Sequence, residues 1–402
     1  MTMRATTVLA DERVRMLDLN DIARGDGFLF VRDGVGLAGR GVAARVPLDD
    51  APAALSAIDH VDTTALGVTP VGVGWIPFVP GEPGEVVIPR VAVVKSAAGQ
   101  CWVTRVDGGD GDGDAYRLEP GAPPQPATDS YRIEQVTPTE TYIAAVEAAR
   151  DAVRTGRLTK AVIAREIAVT ATHPFDRHGI LHRLKAAFGR SYRFAVDGFF
   201  GASPELLVAV EGRTVTSHPL AGTAPRAGDP ERDAALAAAL IESTKNQVEH
   251  RVVIDMVHDT LLPWCSYLDW EPEPSIVTVA NVQHLGTRIE GRLSTPPPHI
   301  ATLVRALSPT PALGGHPGPE ALKLIADVEG VERDRYGGAV GWLDTDGNGT
   351  WAVAIRCAQL SDDGTTARLH AGGGIVADSD PLAELAETQA KFQAMLSALI
   401  RP

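Results

Sequence analysis

Hydrophobic residues in the middle of the chain follow first a helical and then a strand pattern. Apolar side chains from Ile143 to Val153 recur at the spacing of one helix face. The preceding Thr137–Glu140 (TPTE) predicts a capping box, with Thr at the N-cap, Pro at N1 and Glu at N3, and Gly156 is predicted to end the helix. The next segment, TKAVIAREIAV, is rich in β-branched residues and predicts a strand with Lys160 at its entrance.

The same patterns divide the rest of the chain into blocks of strands and single long helices. Residues 1–130, rich in Gly, Pro, Val and Asp, predict short strands and turns, and 118–129 resembles a linker. Such blocks favour an α+β fold over a strict βαβ series. Antiparallel strands are predicted for 193–220 and 335–377, one long helix for 230–262, and a final helix for 381–400.

Composition narrows the class of protein. The 402 residues are 44% hydrophobic and 22% charged, which is typical of a soluble globular protein. The net charge of −14 argues against nucleic acid or an anionic membrane as a partner, and an anionic substrate would need local positive charge. Cys101, Cys265 and Cys357 are far apart, which favours a reducing compartment and no structural zinc. With no signal peptide or membrane span apparent, we expect a cytoplasmic protein.

Acidic residues, together with Asn246 on one helix and Lys391 on the other, share one face on each of two predicted helices. Either these faces are simply solvated, or they converge on a metal ion; oxygen ligands without a Cys or His cluster would suit magnesium. The residues are Glu242, Asn246 and Glu249 on the long helix, at i, i+4 and i+7, and Glu384, Glu387 and Lys391 on the last helix, at i, i+3 and i+7.

Three further charged residues lie in apolar surroundings. Lys160 is either a surface lysine or, if buried, a base. Glu205 follows Pro204 in GFFGASPELLVAV, where it is either a hydrogen-bonded structural residue or an acid with a raised pKa. Arg356 lies in WAVAIRCAQL, predicted to be a strand that is apolar on both faces, so it either bridges a carboxylate or binds an anionic ligand.

Taken together, these segments resemble the chorismate-utilising enzymes, which include isochorismate synthases, salicylate synthases and the large subunits of anthranilate and aminodeoxychorismate synthases. The resemblance covers Thr137 to Leu399, and residues 1–130 fit the family's variable region. It implies a single domain over residues 1–402, α+β with two lobes, in which antiparallel sheets and flanking helices surround a central cleft. The matching strings are TKAVIARE, GASPELLV, HPLAGTAPR, STKNQVEHRVV, VQHLGT, PTPALGGHP, RYGGAVGW, AIRCAQL, AGGGIV and ELAETQAKF.

The resemblance also implies roles for individual residues. Glu249 and Glu387 match the carboxylates that bind Mg²⁺, and Glu384 matches a further, water-mediated partner. Asn246 departs from the family, which usually has Asp or Glu there, so weaker magnesium binding is expected. The substrate would be chorismate, a small dicarboxylate. Its implied contacts are His284 and Ala312 in the ring pocket, Arg356, Tyr336 and the backbone of Gly372, Gly373 and Gly374 at the enolpyruvyl carboxylate, and Lys391 as further positive charge.

The branch of the family follows from a few positions. Ammonia-using members have Gln in place of Lys160, so this lysine implies activation of water for attack at C2, with Glu205 as the acid at C4. Ala221 replaces the lysine of aminodeoxychorismate synthases, and no glutaminase subunit is expected. Salicylate synthases carry Thr where this chain has Ala312. We therefore predict a monomeric isochorismate synthase that supplies siderophore, salicylate or menaquinone biosynthesis; the alternatives are a salicylate synthase and an inactive chorismate-binding regulatory protein.

Overall fold

The computed structural model describes residues 3–107, 118–119, 129–279 and 282–400. Most of the linker-like segment 118–129 lies outside them. The helices are α1 Glu12–Met16, α2 Leu19–Ala23, α3 Ala51–Ser56, α4 Thr139–Arg154, α5 Arg177–Phe188, α6 Pro230–Glu242, α7 Thr244–Leu261, α8 Ile300–Leu307, α9 Gly318–Val328 and α10 Pro381–Ile400.

Strands fill most of the remaining described chain, and their pairings are antiparallel except for the parallel pair of β1 and β4. They are β1 Arg4–Leu9, β2 Phe28–Arg32, β3 Val35–Pro47, β4 Asp59–Asp62, β5 Val71–Ile76, β6 Glu85–Lys95, β7 Cys101–Asp107, β8 Tyr131–Gln135, β9 Lys160–Ala171, β10 Tyr192–Val196, β11 Phe199–Ser203, β12 Leu206–Glu211, β13 Thr214–His218, β14 Leu220–Pro225, β15 Cys265–Trp270, β16 Ser275–Thr278, β17 Val282–Gly286, β18 Ile289–Leu293, β19 Gly315–His316, β20 Ala339–Asp344, β21 Gly349–Val353, β22 Cys357–Leu360 and β23 Thr366–Ile375.

Strand β6 is the branch point of the large sheet, because it pairs with three strands, β3, β5 and β7. From β3, one series of antiparallel pairs runs through β2, β10, β11, β22, β23, β9 and β8. From β5, a second series runs through β20, β21, β12, β13, β18 and β15. Strands β14, β17 and β16 form a small separate sheet. The predicted α+β class with antiparallel sheets is confirmed.

The alternation of side chains along β2 shows how the core is divided. Phe30 belongs to the larger hydrophobic cluster, which also includes Trp351 of β21 and so draws on both strand series. Its neighbours Leu29 and Val31 point to the opposite face and pack in a second cluster with residues of α5 and α10, such as Leu184. Strand β2 is therefore buried on both faces over most of its length. No helix in the described part of the chain combines the length and apolar character needed to cross a bilayer.

Two predictions about helix boundaries are wrong. The segment 230–262 is not one helix, because Ser243 adopts an extended conformation and its side chain accepts a hydrogen bond from Asn246 N, which begins α7. Glu242 therefore lies on α6 and does not share a helix face with Glu249. The predicted capping box is also absent: α4 begins at Thr139, and the Thr137 hydroxyl instead accepts a hydrogen bond from Glu166 N.

Candidate active site

A cavity of about 230 Å³ lies where β9, β14, β17, β23, α7 and α10 meet. The structure brings every predicted site residue except Gly373 to its wall. Those residues were predicted from segments more than 200 positions apart in the sequence, and the fold gathers them around one space. They are Lys160, Glu205, Glu249, His284, Ala312, Tyr336, Arg356, Gly372, Gly374, Glu384, Glu387 and Lys391.

Lys160 is buried, with 3% of its side chain exposed, so the alternative of a surface lysine is wrong. Its Nζ donates to Glu249 Oε1 at 2.6 Å, which joins the first residue of β9 to α7. Gly374 on the neighbouring strand makes room for this pair: a methyl group there would lie 2.6 Å from Lys160 Cε and 2.8 Å from Glu249 Oε1. The amine, its counterion and the bare backbone therefore form one packed unit.

Glu205 occupies the turn between β11 and β12, buried at one end of the cavity. Leu220 N is a distant donor to its Oε1, at 3.4 Å. Burial raises the pKa of Glu205 to about 8, although this backbone contact and the charges of Lys160 and Arg356 act in the opposite direction. The side chain is consequently protonated at neutral pH and can donate a proton into the cavity.

Arg356 does not lie within a strand as predicted, but in the break between β21 and β22, with a φ of +50°. It is buried, and burial lowers its pKa. Its Nε has no hydrogen-bond partner in the described part of the chain. A buried guanidinium with unused donors is prepared for an anionic ligand, the second of the two alternatives drawn from the sequence. Tyr336 lines the same cavity, stacked on His370 at 5.3 Å, and burial raises its pKa to about 12.

His284 is neutral and oriented. Its Nδ1 lies 3.0 Å from Gly222 O, so this nitrogen carries the proton and donates it to the carbonyl. Burial, reinforced by the charge of Arg356, lowers the pKa of the ring to about 3. Nε2 is then a hydrogen-bond acceptor. Gly222 itself has a φ of +69°, and a methyl group on it would lie 3.1 Å from Asn246 Oδ1, so this turn approaches α7 closely.

Helix α10 contributes two carboxylates and an amine. Lys391 Nζ pairs with Glu387 Oε1 at 2.6 Å and donates to Gly372 O at 2.7 Å, which fastens the helix to β23. Burial favours the neutral form of Glu387, but Lys391 outweighs it and the pKa of this carboxyl is lowered. Glu384 accepts a hydrogen bond from Ser379 at 2.8 Å. A methyl group at Gly373 would lie 2.6 Å from Glu384 Oε2, so the absence of a side chain at Gly373 leaves room for this carboxylate.

The acidic residues suit magnesium by chemistry. Glu249, Glu384 and Glu387 supply oxygen ligands on one cavity, and the wall contains no thiol. The three carboxylates do not all lie within 4.8 Å of one another, since two of them are paired with lysines and one with Ser379. As placed they cannot all bind one ion directly, so Mg²⁺, which is commonly held by one or two carboxylates and keeps several waters, would need no more than two of them as direct ligands.

Some residues of the site escaped the sequence interpretation. Tyr142 of α4 is buried, its hydroxyl has no partner among the described residues, and burial together with Glu384 and Glu387 raises its pKa. Ser379 and Thr223, which contact Glu384 and His284, were also missed. The apolar period that predicts α4 runs from Ile143 to Val153 and does not include Tyr142, and nothing local in the sequence places this residue beside acidic residues of α10.

Comparison with known proteins agrees with this geometry. The sequence profile of the chorismate binding enzymes matches residues 114–400. The chain is 41% identical over 346 residues to "Putative isochorismate synthase MenF" of Mycobacterium tuberculosis, covering 83% of this chain and 87% of the relative. It is 39% identical over 286 residues to isochorismate synthase DhbC of Bacillus subtilis, covering 68% and 71%. The protein belongs to the chorismate binding enzyme family.

The fold is that of solved members of the same group. The menaquinone-specific isochorismate synthase MenF of Escherichia coli superposes with a TM-score of 0.85 at 24% sequence identity, covering 99% of this chain and 94% of that one. At this level of identity the likeness concerns the architecture.

Proposed function

We propose that the protein is an isochorismate synthase, which adds water at C2 of chorismate and removes the hydroxyl at C4. The main support for this function is that a buried amine, Lys160, and a buried protonated carboxyl, Glu205, line the same cavity. One group can accept a proton and the other can give one, which is the pair that hydration and dehydration of one ring require. The names of the similar proteins point to the same reaction.

In this reaction Lys160 takes a proton from water as the water oxygen bonds to C2. The ring double bond shifts, the C4–O bond breaks, and Glu205 protonates the departing hydroxyl, which leaves as water. Lys160 must be the neutral amine to accept a proton, and one of its N–H groups can then still donate to Glu249 while the nitrogen lone pair faces the water. The burial that keeps Glu205 neutral near pH 7 also keeps its proton available for the leaving group.

Positive charge for the dicarboxylate substrate comes from the cavity itself. Arg356 has donors that no described residue uses. Lys391 of α10 adds a second cationic side chain to the cavity wall. The neutral ring of His284 offers an acceptor to a substrate hydroxyl. These groups would supply the local positive charge that an anionic substrate needs in a chain of net charge −14.

Magnesium would be held by Glu249 and Glu387, with Glu384 as a further, water-mediated partner. When bound, the ion supplies positive charge that binds and neutralises the ring carboxylate of the substrate. Ala312, where salicylate synthases carry Thr, supports release of isochorismate without elimination of pyruvate. The three free cysteines support the cytoplasm as the compartment.

The test is a chorismate turnover assay with product identification, run with Mg²⁺ and with EDTA. We expect isochorismate, approaching an equilibrium mixture with chorismate, and no turnover in EDTA. Lys160→Ala should lose turnover by about two to four orders of magnitude, the range typical of a lost acid or base. The control Lys323→Ala removes an exposed lysine and should leave turnover unchanged. Salicylate and pyruvate as main products, or wild-type protein that binds chorismate without turnover, would contradict the proposal.

A further inference from the structure

A second polar cluster lies away from the cavity, between α2 and α5. His178 and His182 are four residues apart on α5, so both imidazoles leave the same face of the helix. Asp21 of α2 meets them: its Oδ1 lies 3.0 Å from His178 Nε2 and 2.8 Å from His182 Nε2. The two Nε2 atoms are themselves 3.0 Å apart. Three ligand-type atoms thus form a closed triangle, and none of these residues lines the proposed active site.

Protons cannot make all three sides of this triangle favourable while the carboxylate is ionised. If both Nε2 atoms carry hydrogen, two N–H groups face each other across 3.0 Å. If only one carries hydrogen, the lone pair of the other faces the carboxylate oxygen at 2.8 or 3.0 Å. A cation at the centre removes the conflict, because all three atoms then present lone pairs to it.

The spacing suits a divalent transition metal. Ligands about 2.1 Å from an ion and at right angles to each other lie about 3.0 Å apart, and tetrahedral ligands lie about 3.4 Å apart. The observed separations of 2.8–3.0 Å need little adjustment. Two imidazoles and a carboxylate favour Zn²⁺, Co²⁺ or Ni²⁺ over Mg²⁺, which prefers oxygen ligands. The wide spacing of the three cysteines predicts no structural zinc bound by thiolates. It says nothing about a site made of two histidines and an aspartate.

Other contacts hold the two helices in place, so the triangle is preorganised. Lys185 of α5 pairs with Asp18, the N-cap of α2. Asn20 Oδ1 accepts a hydrogen bond from the buried Arg193 at 2.9 Å. Gly25, just after α2, approaches α5 so closely that a methyl group would lie 2.9 Å from Arg177 Cβ. The ligands therefore converge without depending on their own hydrogen bonds.

We propose that Asp21, His178 and His182 form a transition-metal site that fastens the N-terminal segment to α5. The side chains of His178 and His182 are 15% and 31% exposed, so water can reach the ion. Water therefore fills the remaining coordination positions. The ion stabilises the folded chain, because the ligands converge only when α2 is docked on α5. The reaction in the cavity does not use it.

The experiment titrates metal-free protein with Zn²⁺ by calorimetry and follows Tm. Wild-type protein should bind one ion at this site, and Tm should rise with the logarithm of the free zinc concentration. His178→Gln/His182→Gln should lose both effects and keep its turnover of chorismate with Mg²⁺, which also shows that it folds. His173→Gln, which alters an exposed histidine beside Asp129, is the matched control and should behave as wild type.

Zinc bound by the cavity carboxylates is separated by a second variant. Glu249→Gln/Glu387→Gln should retain the zinc-induced rise in Tm, whatever becomes of the proposed magnesium site. Co²⁺ bound to wild-type protein should give a visible d–d absorption that Asp21→Asn alters. Zinc binding that is absent from wild type, or equal in the double histidine variant, would overturn the proposal and leave a hydrogen-bonded cluster only.

Discussion

At the scale of single residues, the protonated state of Glu205 links chemistry to stability. Its folded pKa of about 8 exceeds the ordinary value of 4.5. Below pH 4.5 the folded and unfolded chains both hold the proton, so the group costs nothing. Between these two values the unfolded chain releases the proton and the folded chain keeps it, so stability is lost as pH rises.

Glu205→Gln removes this cost, since an amide of similar shape does not titrate. We expect the variant to be as stable as wild type near pH 4.5 and more stable near pH 8, by on the order of a few kcal/mol. Urea unfolding at the two pH values measures the difference. The variant should also be nearly inactive, and kcat/KM of wild type should fall above about pH 8 as Glu205 ionises.

The exposed Glu211→Gln serves as the control for Glu205→Gln. It should change neither the pH dependence of stability nor turnover. A variant of Glu205 that gains no stability at the higher pH would show that the buried carboxyl is already ionised there, and the assignment of this residue as the acid would fail.

At the scale of elements, β23 carries three consecutive glycines, of which Gly373 and Gly374 face opposite sides. Gly374 makes room for Lys160 and Glu249, and Gly373 makes room for Glu384. A strand with side chains at both positions could not lie beside β9 and α10 at the present distances. The glycines therefore set how closely the acidic groups approach the strand.

Gly374→Ala should displace the Lys160–Glu249 pair, because the added methyl group would lie 2.6 Å from Lys160 Cε. We expect turnover to fall by about a hundredfold, the scale of loss for a misplaced reacting group. Gly318→Ala is the control, since no atom lies within 4 Å of the added methyl group. Wild-type turnover in Gly374→Ala would mean that the lysine needs no fixed position.

The elements also show what the sequence could and could not predict. The period of apolar residues located α4, β9 and α10, since α10 spans Pro381–Ile400 as predicted. It failed at Ser243, where a polar residue that caps α7 interrupts an otherwise continuous helical pattern. Tyr142 was not predicted at all, because its proximity to Glu384 depends on packing between α4 and α10, which no local pattern records.

At the scale of the whole molecule, acidic side chains outnumber basic ones, 51 to 37, whereas the cavity wall balances Glu249, Glu384 and Glu387 with Lys160, Arg356 and Lys391. Glu249→Gln and Glu387→Gln should each raise the Mg²⁺ concentration needed for half-maximal turnover by at least about tenfold, since each removes one anionic oxygen ligand. Titration of turnover with Mg²⁺ measures this. Glu242→Gln, which alters an exposed residue on α6, is the control. An unchanged requirement in both variants would contradict the assigned ligands.

The pairing of Lys160 with Glu249 and of Lys391 with Glu387 has a further consequence for ligand entry. Each buried pair is electrically neutral, and so is a divalent cation together with a dicarboxylate. Binding can then proceed as an exchange of partners, in which acids turn to the cation and amines turn to the substrate. The net charge of these two pairs then stays balanced during exchange, and the polar cavity can fill and empty with a smaller desolvation barrier than a lone ion would meet.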